Sequence, residues 1–271
     1  MCRLFGMQAT HPTRIDCELL ESQNALIHQA RGDQRGIVNA DGWGIGLVLA
    51  SGAVECARQP QPAYQSADYR AEAARSPAVA AIAHVRAATV GGGALENTHP
   101  FRHGDALFAH NGDVPRFDAV KPLLLERLDA EHRELIAGET DSEHLFALLL
   151  MRAASQPGAD RRELLRELAA EAGELATEAG ASVEDLYLNL LWTVGPRLAG
   201  TRLRSSLWWI ERDQALECGL CGQRHAHPPE GEPYRSVVVA SERITDEDWT
   251  EVPDGSVFAV EPDLRLAVEP L

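Results

Sequence analysis

Residues 78–89 have the sequence Ala-Val-Ala-Ala-Ile-Ala-His-Val-Arg-Ala-Ala-Thr, a short apolar run that ends at Arg86. Residues 106–112, Ala-Leu-Phe-Ala-His-Asn-Gly, repeat this arrangement and end at Asn111-Gly112. Apolar runs of this length predict buried strands, and polar side chains at the ends of rigid strands are typical of active sites. Asn-Gly is also a turn signal, so the sequence predicts a turn at residues 111–112.

The rest of the chain supplies further strands and helices. A glycine-rich turn leads into a strand over residues 38–50, and the last third of the chain contains four predicted strands, at residues 206–211, 236–240, 257–260 and 264–268. Apolar residues at helical spacing predict helices over residues 18–30, 141–151 and 161–179, the second capped by Thr140 or Asp141. Residues 186–194 fit either a helix or a strand. These elements favour an α+β fold with sheets packed together and covered by helices.

Composition excludes some classes of partner. The 271 residues carry a net charge of -16, which argues against nucleic acid and anionic membranes as partners. No apolar run is long enough to span a bilayer, and the N-terminus lacks the apolar stretch of a signal peptide, so we expect a cytoplasmic protein. The five cysteines are an odd number and therefore indicate reduced thiols better than a disulfide framework.

Cys2 has the features of an N-terminal nucleophile. Its side chain is small enough for removal of Met1, which would expose an α-amino group with a pKa of roughly 7.7–8.0. Such an amine is a suitable general base near neutral pH, and it would share a residue with the thiol that it activates. A buried, unreactive cysteine is the alternative, and Cys2 alone does not decide between them.

Six short segments occur in one order along the chain: Met1-Cys2-Arg3, Asp41-Gly42-Trp43-Gly44, His84-Val85-Arg86-Ala87-Ala88-Thr89, Asn97-Thr98-His99-Pro100-Phe101, His110-Asn111-Gly112 and Thr140-Asp141-Ser142. Together they resemble the class II glutamine amidotransferases. The resemblance implies the fold of the N-terminal nucleophile hydrolases, a four-layer αββα sandwich of two mainly antiparallel sheets. It also implies a single glutamine amidotransferase type-2 domain over residues 1–271, with a helical insertion near 155–195 and a Cys/His hairpin near 216–230.

The resemblance further implies a role for individual residues. Cys2 would attack the substrate carbonyl, and the Asn111 side-chain amide and Gly112 N–H would form the oxyanion hole. The substrate contacts would be Arg86 and Thr89 on the α-carboxylate, Asp141 on the α-ammonium and His99 nearby. Taken singly, these residues also have ordinary structural explanations, such as a salt-bridged arginine, a helix cap and a hydrogen-bonded histidine.

These roles predict hydrolysis of a γ-glutamyl amide, in glutamine or in a γ-glutamyl peptide or amine, through a Cys2 thioester that releases glutamate. The single-domain γ-glutamyl hydrolase of ergothioneine biosynthesis and the glutathione-degrading amidotransferase-like proteins are similar. No cofactor is expected for catalysis. One alternative is a glutaminase subunit that delivers ammonia to a separate synthase, although Ala87 stands where many synthase-type members have an aromatic residue. Another is an inactive zinc-knuckle interaction protein.

A cysteine and histidine cluster lies outside these segments. Cys218 and Cys221 form a Cys-x-x-Cys pair, and His225 and His227 follow closely. Two thiolates and two imidazoles can hold zinc tetrahedrally, so these four residues are candidate ligands of a structural zinc ion. A reduced thiol pair in a surface loop is the simpler interpretation.

Overall fold

A computed structural model describes residues 2–89, 92–215 and 217–271. Met1, whose removal the sequence predicts, lies outside the described residues. The strands, in chain order, are β1 (Arg3–Thr13), β2 (Gly42–Val48), β3 (Val54–Gln59), β4 (Ala78–Arg86), β5 (Phe101–His103), β6 (Ala106–Asp113), β7 (Tyr187–Val194), β8 (Arg197–Arg202), β9 (Trp208–Arg212), β10 (Ser236–Ala240), β11 (Thr250–Glu251), β12 (Ser256–Val260) and β13 (Leu266–Pro270).

Helices connect and cover these strands. They are α1 (Leu26–Arg31), α2 (Ala67–Ala73), α3 (Phe117–Arg127), α4 (Ala130–Arg133), α5 (Asp141–Ser155) and α6 (Arg161–Glu178). Short helical turns lie at Cys17–Glu21, Ala63–Gln65 and Val183–Asp185. No helix in the described part of the chain has the length and apolar character needed to cross a bilayer.

Two antiparallel sheets form the centre of the molecule. Among the described residues, seven strands form one sheet in the order β11-β9-β10-β1-β4-β2-β3, and six form the other in the order β13-β12-β8-β7-β6-β5. β1 lies between β10 and β4, while β6 lies between β5 and β7. The N-terminal strand and the strand that ends in Asn111-Gly112-Asp113 therefore each have a neighbouring strand on both sides.

The apolar pattern of the strands explains the layers. Successive side chains of a strand point to opposite faces, so in β1 Leu4 belongs to the buried cluster that contains Leu191 and Leu198 of the second sheet, whereas Phe5 belongs to the cluster that contains α1. A third cluster buries the other face of the second sheet under α3, α5 and α6. The predicted four-layer αββα sandwich is confirmed.

Several local predictions differ from the structure. Asn111 and Gly112 continue β6 and pair with Asn189 and Leu188 of β7, so the predicted turn is wrong. The predicted helix over residues 18–30 is broken into the turn Cys17–Glu21 and α1.

Only the last part of the predicted helical segment near 155–195 is extended, and a strand is one of the two interpretations that residues 186–194 allow. Residues 161–178 form α6, but residues 187–194 form β7 inside the second sheet. Near residues 216–230 the described chain makes a turn bridged by Glu217 and Arg224. Helix α5 starts as predicted, because Thr140 Oγ1 accepts the Glu143 N–H at 3.2 Å.

Candidate active site

Cys2 is held at the beginning of β1 by its neighbours. Its thiol donates to the Ala87 carbonyl oxygen at 3.4 Å, and its carbonyl oxygen accepts from Arg3 Nη1 at 2.8 Å. The Arg3 guanidinium is buried and ion-paired with Asp33 at 2.5 Å and Glu242 at 2.9 Å. This ion network fixes the backbone that carries the thiol.

The environment of Cys2 disfavours the thiolate. Burial raises the pKa of the Cys2 thiol above its ordinary value, although the hydrogen bond to Ala87 acts in the opposite direction. A buried thiol with a raised pKa needs a base before it can attack a carbonyl.

The segment after β4 lies beside Cys2 and is anchored by Asp41. The Asp41 N–H donates to the Arg86 carbonyl at 2.9 Å, and its carboxylate accepts the Ala88 N–H at 2.8 Å. Arg86 is 2% exposed and donates through Nη1 to the Gly92 carbonyl at 2.9 Å. Thr89 is exposed, and its hydroxyl donates to Asp113 at 3.2 Å.

Asn111 approaches β1 from the second sheet through Ser241. Its Nδ2 donates to Ser241 Oγ at 3.4 Å, and the same hydroxyl oxygen accepts the Leu4 N–H at 2.9 Å. Ser241 is also tied to β1 by its own N–H, which donates to the Leu4 carbonyl at 3.0 Å. The Asn111 amide therefore lies one hydrogen-bonding side chain away from the strand that begins after Cys2.

Gly112 is required by close packing. A Cβ atom at this position would lie 1.9 Å from the Tyr187 carbonyl oxygen and 2.3 Å from His110 Nε2. His110 is fixed in turn, because its ring nitrogens contact Ser142 Oγ and the Tyr187 carbonyl, both at 2.9 Å. The backbone of residue 112 can reach its position only without a side chain.

Two carboxylates lie near one another beyond Gly112. Asp141 is 4% exposed and accepts the N–H groups of Val114 at 2.9 Å and Ser142 at 2.7 Å. Asp113 is half-buried. Burial and then the negative charge of Asp141 raise the pKa of Asp113. The pair forms a negative corner at the end of β6, which a cation would stabilise.

His99 is buried in the protein and is not exposed at the candidate active site. It is 3% exposed, and its ring centroid lies 4.3 Å from that of His84 and 4.6 Å from that of Phe101. Burial is the main cause that lowers the pKa of His99, and it lowers the pKa of His84 to about 3. Both rings are therefore neutral near pH 7.

The predicted metal ligands lie elsewhere, and one of them differs. Among the described residues, the cluster of side chains that could hold a metal contains Cys17, Cys218, Cys221 and His225. His227 is exposed and is not part of that cluster. Cys17 is 201 residues from Cys218 along the chain, so no local pattern indicates that it belongs to the cluster.

Three further residues contact the candidate active site without a role that the sequence pattern predicts. Arg3 holds the Cys2 carbonyl, Ser241 contacts Asn111, and Asp113 contacts Thr89. The first is part of the Met1-Cys2-Arg3 segment, and the third directly follows His110-Asn111-Gly112, so their positions in those segments were the available signals.

Comparisons with known proteins identify the family. A family model described as glutamine amidotransferases class-II matches residues 1–264. The chain is 29% identical to the probable glutamine amidotransferase DUG3 of Saccharomyces cerevisiae over 98% of this chain and 83% of that protein. It is 28% identical to the gamma-glutamyl-hercynylcysteine sulfoxide hydrolase of Mycolicibacterium smegmatis, with 100% of each chain covered.

A solved structure shares the fold. The glutamine aminotransferase class-II domain protein of Silicibacter pomeroyi superposes with a TM-score of 0.69 at 19% identity, covering 100% of this chain and 99% of that one. The chain is therefore an amidohydrolase of the class II glutamine amidotransferase family.

Proposed function

We propose that this protein hydrolyses a γ-glutamyl amide bond through a γ-glutamyl thioester on Cys2 and releases glutamate. The observation that carries the proposal is the approach of Asn111 to the beginning of β1, where Ser241 joins the Asn111 amide to the Leu4 N–H. A nucleophile and a hydrogen-bond donor on facing sheets are the two elements that acyl transfer requires.

The charges around Cys2 match the two charged groups of a γ-glutamyl substrate. Arg86 is buried at the end of β4, and its planar guanidinium suits a carboxylate, to which the Thr89 hydroxyl would add a contact. Asp141 and Asp113 would hold the α-ammonium. Asp141 Oδ2 accepts the Val114 N–H and keeps a second lone pair for that cation, whereas Oδ1 accepts both the N–H and the hydroxyl of Ser142.

His99 is given a different role from the one that the sequence predicts. Because its ring is buried against His84 and Phe101, we propose that it supports the segment below Arg86 and makes no direct contact with the substrate.

The first half of the reaction forms the thioester. After removal of Met1, the Cys2 amine takes the thiol proton, which overcomes the raised pKa of the buried thiol. The sulfur then forms a bond to the γ-carbonyl carbon, and the negative charge on its oxygen is stabilised by the Asn111 amide and the Gly112 N–H. An oxyanion donor of this kind contributes about 3–4 kcal/mol. The amine returns the proton to the leaving nitrogen as the C–N bond breaks.

The second half regenerates the enzyme. The Cys2 amine, now neutral, takes a proton from water, and the hydroxide attacks the thioester carbonyl. The same two donors stabilise the second oxyanion, the C–S bond breaks, and the thiol regains its proton. This cycle needs no metal or organic cofactor.

The leaving group is proposed from the relatives. The name of the Mycolicibacterium protein specifies a γ-glutamyl substrate and a hydrolytic reaction, and the chain covers that protein completely. A γ-glutamyl peptide or amine is thus the proposed substrate, in the cytoplasm. Delivery of ammonia from glutamine to a separate synthase is the alternative.

Glutamate release tests this proposal. Met1-processed protein is incubated with L-glutamine and with γ-glutamyl peptides such as glutathione, at matched concentrations. Faster release from a peptide supports the proposed hydrolase, whereas faster release from glutamine supports the ammonia-delivering alternative. Release from none of a panel of γ-glutamyl peptides, amines and glutamine would overturn the proposed activity.

A further inference from the structure

Four potential metal-binding side chains meet at the end of β1 opposite Cys2. Thr13, the last residue of β1, is bridged to Ala226, and an 11-residue strand is about 35 Å long at about 3.3 Å per residue. The cluster contains Cys17, Cys218, Cys221 and His225. It is therefore separate from the candidate active site.

Two of the distances between the ligand atoms match those of a tetrahedral zinc site. All four atoms lie within 4.8 Å of one another. Zn–S bonds of about 2.3 Å and Zn–N bonds of about 2.0 Å in a tetrahedron place two sulfurs about 3.8 Å apart, and a sulfur and a nitrogen about 3.5 Å apart. The observed distances are 3.9 Å between Cys17 Sγ and Cys218 Sγ and 3.4 Å between Cys221 Sγ and His225 Nε2.

A disulfide does not explain this arrangement. The two sulfurs of a disulfide are about 2.05 Å apart, but those of Cys17 and Cys218 are 3.9 Å apart, and the five cysteines of the chain are free. Three thiols and one imidazole meet here, and this donor set selects zinc among the common metals.

The surroundings orient the histidine. His225 directs Nε2 toward Cys221 Sγ, while its Nδ1 lies 3.9 Å from Glu18 Oε2. Glu18 is 5% exposed, and that oxygen makes no hydrogen bond with the described residues. A buried carboxylate behind the other ring nitrogen is the usual outer partner of a metal-bound histidine.

Backbone hydrogen bonds also hold the segments that carry the cluster. The Cys218 N–H donates to the Gln223 carbonyl at 2.9 Å, and the Gly222 N–H donates to the Cys218 carbonyl at 2.8 Å. This turn brings the thiols of the Cys-x-x-Cys pair to one side. The Arg14 N–H donates to the His225 carbonyl at 2.8 Å and so fixes the loop against the segment that leads to Cys17.

We propose that Cys17, Cys218, Cys221 and His225 bind one structural Zn²⁺ ion that ties the loop between β9 and β10 to the end of β1. Each cysteine loses its thiol proton on binding, and no oxidation or reduction occurs. Three thiolates and a neutral imidazole give the Zn²⁺ complex a net charge of -1. Arg212, which donates to Glu18 Oε1 at 2.9 Å, brings positive charge to this region.

Metal analysis of the full-length protein tests the site. Protein purified under reducing conditions without chelator, or reconstituted with Zn²⁺ and dialysed, should contain about one zinc per chain. Replacement of zinc by Co²⁺ should give the thiolate charge-transfer bands and strong visible bands of a tetrahedral cobalt site. The variants Cys17→Ser and His225→Ala should lose most of the bound metal.

Two matched variants separate this site from the one that the sequence alone predicts. His227→Ala removes the nearby exposed histidine, and Cys56→Ser removes a cysteine outside the cluster; both should retain about one zinc per chain. The proposal is overturned if wild-type protein takes up no zinc after reconstitution. It is also overturned by a Cys17–Cys218 disulfide in freshly purified protein, or by equal metal loss in His227→Ala and His225→Ala.

Discussion

Asn111 Nδ2 donates to Ser241 Oγ across the two sheets at 3.4 Å. The amide nitrogen has two hydrogens, so one can hold this contact while the other points to a developing oxyanion. The Ser241 hydroxyl oxygen also accepts the Leu4 N–H. The distance between the proposed oxyanion donor and the nucleophile is therefore set by packing between sheets and not by a local loop.

Replacement of Asn111 by Ala should lower kcat by about 10²–10³-fold, because one donor to the oxyanion is lost. KM for the γ-glutamyl substrate should change little, since the donor acts in the transition state. Steady-state kinetics on glutamate release measure both constants. Ser241→Ala is the graded control: it keeps the amide but loosens it, and its kcat should lie between those of the wild type and Asn111→Ala. A rise in KM at constant kcat would contradict the assigned role of Asn111.

Gly112→Ala should damage the same site by a different route. The new Cβ would meet the Tyr187 carbonyl at 1.9 Å, and relief of such overlap costs about 1–3 kcal/mol of unfolding free energy. The free energy of unfolding, measured with denaturant, and kcat should both decrease. Gly93→Ala is the matched control, because nothing lies within 4 Å of its Cβ position. Wild-type stability in Gly112→Ala would contradict the close approach of the Tyr187 carbonyl to residue 112.

Asp113→Asn tests the negative corner for the substrate ammonium. A charge-assisted hydrogen bond contributes about 1.5–3 kcal/mol, so KM should rise roughly tenfold or more. The same variant should not affect binding of a substrate analogue that lacks the α-amino group. Asp118→Asn, at an exposed aspartate on α3, should behave as wild type. An equal loss of affinity for both ligands would remove Asp113 from ammonium binding.

His84 should make the fold sensitive to acid. Burial, followed by the positive charge of Arg86, lowers the pKa of His84 to about 3, whereas an unfolded histidine titrates near 6.5. Between these values the unfolded chain binds a proton that the native chain does not, so the free energy of unfolding decreases as the pH falls. Above about pH 6.5 the histidine is neutral in both states, and its contribution to stability is constant.

Denaturant unfolding at several pH values between about 4 and 7 measures this effect. His84→Asn removes the titrating group, so the slope of stability against pH should decrease by up to about 1.4 kcal/mol per pH unit. His103→Asn, at an exposed histidine, controls for the loss of a histidine from the chain. If the slopes of the wild type and His84→Asn coincide, His84 is not the acid-sensitive group.

The elements that could be predicted from sequence have strong local patterns. Helix α5 begins at Asp141, because the cap at Thr140 and the apolar face that follows are both local signals. The strand over residues 236–240 likewise agrees with β10. The resemblance to the family assigns Cys2, Arg86 and Asn111 to one site, and in the structure they lie just before β1, at the end of β4 and near the end of β6.

The features that could not be predicted depend on distant parts of the chain. Asn111-Gly112 has the composition of a turn, but here the glycine is required by the approach of Tyr187 on the next strand. Cys17 joins Cys218 only because β1 and β10 are neighbours in one sheet. Such contacts depend on strand order, which a local pattern does not contain.

The central claim is that Cys2 is the nucleophile, and glutamate release by Cys2→Ala tests it most directly. Wild type, Cys2→Ala and Cys56→Ala are compared on a γ-glutamyl substrate, after mass spectrometry has verified removal of Met1 and unfolding curves have verified the fold. We expect release by the wild type and Cys56→Ala, and none above background by Cys2→Ala. Release by Cys2→Ala at the wild-type rate would contradict the thioester mechanism.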